Sequence, residues 1–223
     1  MSDCLFYADI VFCIDASGSM ERFLYNFREA LPNLENTVKK GFEENERDFG
    51  NARVRFVLFR DFGCDKEPLV ESEFFTLPED ADAMMAFLEY VEPIGGGDQP
   101  ESALEALTIA VKSEWRTGRD VRQTVVLFTD ADAHPLGEHA WLPHYPEDMP
   151  ASSDELRAFW NQGGENGCLK ARGRVVAVTP AGSELFSELC EWDKSIVVDE
   201  DPSTMTAEGV AKLLATICNF ISG

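Results

Sequence analysis

Apolar residues fall into short unbroken runs separated by longer stretches with helical spacing. Ile10-Val11-Phe12-Cys13-Ile14, residues 54–59, 124–129, 174–178 and 195–198 read as strands. The run at 124–129 is apolar throughout, as in a strand covered on both faces. Amphipathic patterns over about 22–45, 81–91, 100–114, 153–162, 183–191 and 206–221 read as helices. Pro100 suits a first helical turn, where its missing N–H costs nothing. Residues 69–76 alternate weakly and predict one short antiparallel edge strand. Such alternation predicts an α/β fold with a doubly wound, mostly parallel central sheet and helices on both faces. No internal repeat, low-complexity tract or Pro/Gly-rich linker divides the chain, so 1–223 is expected to be a single domain.

One stretch breaks the rhythm. Residues 131–150 hold four prolines, three histidines and Trp141. A connection this long without evident structure is usually functional or disordered. It follows Asp130 directly, which predicts a position on the rim of the ligand-binding edge.

The net charge changes the picture of partners. Nineteen basic against 41 acidic residues give −22. That argues against nucleic acid or an anionic membrane and for cations or basic protein surfaces. Six cysteines are scattered with no C-x-x-C pair. No secretory pattern and no apolar stretch of membrane-spanning length are visible. The expectation is a cytoplasmic chain with reduced thiols.

Three loops point to one cation. Asp15-x-Ser17-x-Ser19 follows the first apolar strand. Gly95-Gly96-Gly97-Asp98-Gln99-Pro100-Glu101 is a tight turn running into a helix. Thr129-Asp130 ends a buried strand. In an open α/β sheet all three lie at the carboxyl ends of strands, where ligands bind. Asp15, Asp130 and either Asp98 or Glu101 are expected to meet around a hard cation, with Ser17 and Ser19 as neutral oxygens. Mg²⁺ takes about six oxygens in octahedral array; Mn²⁺ and Ca²⁺ are alternatives.

With these residues the chain resembles the von Willebrand factor type A (VWA) domain, with a metal-ion-dependent adhesion site. The family pattern is D-x-S-x-S, then a Thr or acid in a Gly-rich turn, then an Asp after a buried strand. The resemblance spans about residues 7–221. The middle turn lacks the common Thr and looks like the variant of integrin β subunits, hemicentins and VWA-type kinases. Counting back from Ala106-Leu107 favours Glu101 as the ligand; counting from the Gly-Gly pair favours Asp98, which would otherwise serve an adjoining site. The resemblance implies a non-enzymatic adaptor that ligates a partner's Asp or Glu through a bound Mg²⁺, sometimes alongside an ATPase or kinase. Trp141 and Tyr145 are the expected apolar anchors for that partner.

Other constellations carry less. His134, His139 and His144, five apart, fit a solvated loop better than a zinc site. Arg60 and Asp61 read as an ordinary strand-end pair, with a place behind the ligands or facing a partner as the alternative, and Trp115, Trp160 and Trp192 as core. A Mg²⁺-dependent phosphatase would need a base and a phosphate-binding basic cluster that the sequence does not display. A structural module with an unused metal site is the other alternative.

Overall fold

In the computed structural model, which describes residues 4–97, 100–170 and 173–223, the first apolar run lies at the centre of the sheet. This strand, β1 (Phe6–Asp15), pairs in parallel with β2 (Phe49–Phe59) on one side and β5 (Val121–Phe128) on the other. β6 (Gly173–Thr179) and β7 (Ser195–Asp199) continue the parallel set beyond β5. Against the far edge of β2 run two antiparallel pieces, β3 (Leu69–Glu71) and β4 (Phe75–Leu77), where one edge strand was expected. The break falls at Ser72, whose hydroxyl accepts the Phe56 N–H and donates to the Glu73 carbonyl. A side chain thereby replaces the backbone ladder for one residue.

Alternation along β1 sorts its side chains to two cores. Ile10, Phe12 and Ile14 face α1 (Glu21–Ala30), α2 (Leu34–Glu44), α3 (Ala81–Tyr90) and α7 (Ala207–Ser222). Val11 and Cys13 face α4 (Ala103–Val111), α5 (Ser153–Gln162) and α6 (Glu184–Cys190). The helix expected over 22–45 divides into α1 and α2 at a 3-10 turn holding Pro32, whose ring removes an N–H that an uninterrupted helix needs. Trp115, Trp160 and Trp192 are buried, as the sequence predicts. Beneath the carboxyl end of the sheet, Phe23, Phe27, Phe56 and Phe128 pack around Phe12 with ring centroids 4.7–6.4 Å apart. This aromatic floor fixes the strand ends that carry the site.

At the opposite end of β1, Asp9 is fully buried. It accepts from Arg53 Nη2 at 2.6 Å and Arg116 Nε at 2.7 Å, and from the Arg116 backbone N–H at 2.7 Å. The charge of one buried carboxylate is matched there by two guanidiniums.

Candidate metal site

The chain leaves β1 towards β2 and later returns to β5 on the other side. The carboxyl ends of β1 and β5 therefore flank the point where strand order reverses, the place that binds ligands in doubly wound sheets. Asp15, the last residue of β1, is fully buried. Its Oδ1 accepts the Ser17 N–H at 2.8 Å and its Oδ2 accepts the Thr129 hydroxyl at 2.8 Å. The Ser17 and Ser19 hydroxyls stand 3.0 Å apart, and Ser19 donates to Asp130 Oδ1 at 3.1 Å. Ser17, through its amide and hydroxyl, and the Ser19 hydroxyl thus link the two carboxylates.

Glu101 enters from the turn before α4. Its backbone forms a parallel bridge: Glu101 N–H donates to the Asp132 carbonyl and His134 N–H to the Glu101 carbonyl, each 2.9 Å. The side chain is 2% exposed, and its Oε2 is buried without a hydrogen-bond partner. A Cβ on Gly96, which sits at φ +70°, would stand 2.7 Å from both Glu101 Oε1 and Ser17 Cβ. The glycine therefore lets the turn close over the acid. Asp65, which sequence reasoning missed, holds that turn by accepting the Gly96 N–H at 3.2 Å. Only a D-x-x-x-D spacing after β2 hinted at it. Asp98, the other candidate from this turn, lies outside the described residues. Gly96→Ala is expected to displace Glu101 and cut cation affinity at least tenfold, read by calorimetry; unchanged affinity would remove Glu101 from the site.

Among the described residues Asp15, Glu101 and Asp130 form no ion pair. Burial pushes the Asp15 carboxyl up to about 6, against the hydrogen bonds of Ser17 and Thr129. Burial, then the charges of Asp15, Asp61, Asp65 and Asp130, push Glu101 up to about 9. Arg60 does not supply the missing charge. Nor does it pair with Asp61 as expected, for its guanidinium donates to the carbonyls of Ala16, Glu67 and Glu92 and staples three rim segments. An all-oxygen donor set with an orphaned buried carboxylate oxygen fits a hard divalent cation.

The model of the von Willebrand factor type A domain matches residues 10–133, more than half of the chain. The chain belongs to that family. VWA domains generally mediate protein–protein interactions and often bind a divalent metal. Alpha-protein kinase vwkA of Dictyostelium discoideum is 22% identical over 152 residues, which are 67% of this chain and 22% of that protein. The pilus adhesin SpaC of Lactobacillus rhamnosus GG superposes with a TM-score of 0.61 at 14% identity, over 98% of this chain and 31% of that one. The minor pilin PilB of Streptococcus sanguinis gives 0.56 at 13% identity, over 98% and 62%. This VWA chain thus spans less than two thirds of each, and at such identities the two structures share its fold alone.

The 131–150 loop of this VWA domain is a series of turns packed on the rim. Phe62 stacks on His144 and meets Tyr145 at a tilt, with centroids 5.9 and 5.2 Å away. Tyr145 is turned inward, contrary to its expected role as a partner anchor: its hydroxyl donates to Glu105 Oε1 at 2.7 Å and accepts the Gly137 N–H. It pins its own loop. Trp141, by contrast, is 76% exposed. His144 is exposed as expected, but His134 and His139 are not solvated. His134 and His139 meet edge to face at 4.7 Å beside buried Asp61.

Proposed function

We propose that this VWA domain is a divalent-cation-dependent protein-binding module, an adaptor without catalysis of its own. The observation that carries this reading is the contrast along β1. Asp9 is buried against two arginines, whereas Asp15, equally buried, has only hydroxyls, an amide and other acids around it. Mg²⁺ would be held by Asp15, Ser17, Ser19, Glu101 and Asp130, some through water, and would offer a remaining coordination position to a partner's Asp or Glu. An acid at Glu101 in place of a neutral ligand strengthens hold on the ion and weakens its pull on the incoming carboxylate. Exposed Trp141 supplies the apolar contact beside it. The kinase named among the relatives supports a partnership with a kinase or ATPase, and unbridged cysteines support a cytoplasmic setting. The charge of −22 argues against nucleic acid and anionic membrane.

The test is capture of a partner on the immobilised domain with Mg²⁺ and with EDTA. Complex formation is expected to require the ion and to fall at least tenfold in Trp141→Ala, with the melting curve unchanged, since aromatic hot spots typically contribute about 2 kcal/mol or more. A complex indifferent to EDTA would place the interface elsewhere.

The raised carboxyls also set a pH dependence. Glu101 moves from 4.5 to about 9 on folding of the ion-free chain. Between those values the native state holds more protons than the unfolded chain, so ion-free stability falls as pH rises. Cation loading displaces that proton, so affinity climbs over the same window. The melting-temperature gap between Mg²⁺ and EDTA is expected to widen steadily from about pH 5 to about pH 9, and Glu101→Gln to flatten the EDTA curve. A gap independent of pH would contradict this.

A further inference from the structure

Beside the Mg²⁺ ligands, the end of β2 and the start of the 131–150 loop bring together Asp61, His134 and His139. The two imidazoles are about seven-eighths buried and the Asp61 side chain is 3% exposed. His134 Nδ1 lies 3.0 Å from Glu138 Oε2, and the tautomer that donates Nδ1–H to this carboxylate leaves the Nε2 lone pair free. That Nε2 is buried, makes no hydrogen bond, and stands 3.3 Å from Asp61 Oδ1, an oxygen that already accepts the Gly63 N–H. Two acceptors at that separation repel unless something positive lies between them. His139 Nδ1 approaches the same oxygen at 3.8 Å.

The spacing matches tetrahedral coordination. Zn²⁺ bonds to imidazole nitrogen and carboxylate oxygen are about 2.0–2.2 Å, which sets neighbouring ligand atoms about 3.3–3.5 Å apart. The His134–Asp61 pair is already there, and His139, 3.8 Å from the same oxygen in a triad that spans at most 4.8 Å, needs to close inward. A carboxylate on the outer nitrogen of a ligating histidine is the usual orienting partner. Imidazole donors select a late first-row ion over Mg²⁺.

We propose that Asp61, His134 and His139 form a Zn²⁺ site, distinct from the Mg²⁺ ligands, with Glu138 orienting His134. The ion would clamp the 131–150 loop onto the end of β2, with its fourth position open to water. The clamp bears on Glu101 directly, because the His134 N–H is bonded to the Glu101 carbonyl. Nothing in this proposal depends on Mg²⁺ binding.

The chain has only three histidines, so their imidazole resonances form a minimal probe set. Zn²⁺ is titrated into the full chain in saturating Mg²⁺, with nitrogen-15 long-range histidine spectra. One equivalent is expected to shift His134 and His139, leaving His144 as the internal control. Calorimetry should show at least tenfold weaker binding in His134→Gln and in His139→Gln, and no change in His144→Gln. Co²⁺ loading of a Cys64→Ser chain should give a tetrahedral nitrogen/oxygen spectrum identical to that of the parent. The wild-type spectra decide even if a variant fails to fold. Zn²⁺ that leaves His134 and His139 unshifted, shifts His144 alone, or shows a thiolate spectrum lost with Cys64 overturns the site. So does a His134 ring doubly protonated and indifferent to Zn²⁺, which would mark the cluster as an ion pair alone.

Discussion

Millimolar Mg²⁺ is expected to raise the melting temperature of this domain by roughly 5–10 °C over EDTA, and Asp15→Ala or Asp15→Asn to abolish the rise. An ion that binds only the native state adds RT ln(1 + [L]/Kd), about 2.7 kcal/mol at a hundredfold excess over Kd. For a chain of this size each kcal/mol moves the midpoint by about 2–4 °C. Asp15 is the choice because it is fully buried, is fixed at both oxygens, and has no basic partner among the described residues. The asparagine variant keeps an oxygen for the Ser17 N–H, so it isolates the charge. Its melting temperature in EDTA should hold or rise, since a buried, repelled carboxylate is gone. A wild-type curve that ignores Mg²⁺ would sink the cation reading.

Asp9→Asn should do the reverse. Breaking a buried ion pair by removing one partner costs about 3–5 kcal/mol, because the other charge stays behind. Here two guanidiniums stay behind, Arg53 and Arg116. The midpoint is expected to drop by about 10 °C or more in Mg²⁺ and EDTA alike. The Mg²⁺-dependent rise should survive, because Asp9 lies at the far end of the strand. A small loss would mean the arginines find other partners, such as the Asn51 and Ala8 oxygens that Arg116 already engages.

What the sequence made legible was what local signals encode. An apolar run stopped by Asp15-Ala16-Ser17-Gly18-Ser19 announces a strand end with oxygens on a loop, and Thr129-Asp130 does the same. Both motifs meet in space, as parallel neighbours in a wound sheet must. The division of the 22–45 helix was present in Pro32, but helical periodicity on both sides masked it. Contacts across long separations were not legible. Phe62 and His144 are 82 positions apart, yet their contact helps turn a supposed solvated loop into a packed one. Five-residue spacing argues against a shared helical face, but turns bring His134 and His139 together without one. Tyr145 looked like a surface anchor because nothing local discloses that Glu105 waits beneath it.

One end of the sheet matches its buried acid with arginines, whereas the other keeps several acids without ion pairs among the described residues, on a chain of net charge −22. Arg53 and Arg116 sit at Asp9 near the start of β1, and Asp15, Asp65, Glu101 and Asp130 gather near its end. Under the proposed function, a partner with a basic face would meet a field that turns it before contact, so that a larger share of collisions would arrive with the candidate metal edge foremost. Fields of this kind raise association rates by about 10–10³ at low ionic strength. They fade once the screening length falls to about 8 Å at physiological salt. Added salt would then slow capture more than it shortens the lifetime of the formed complex.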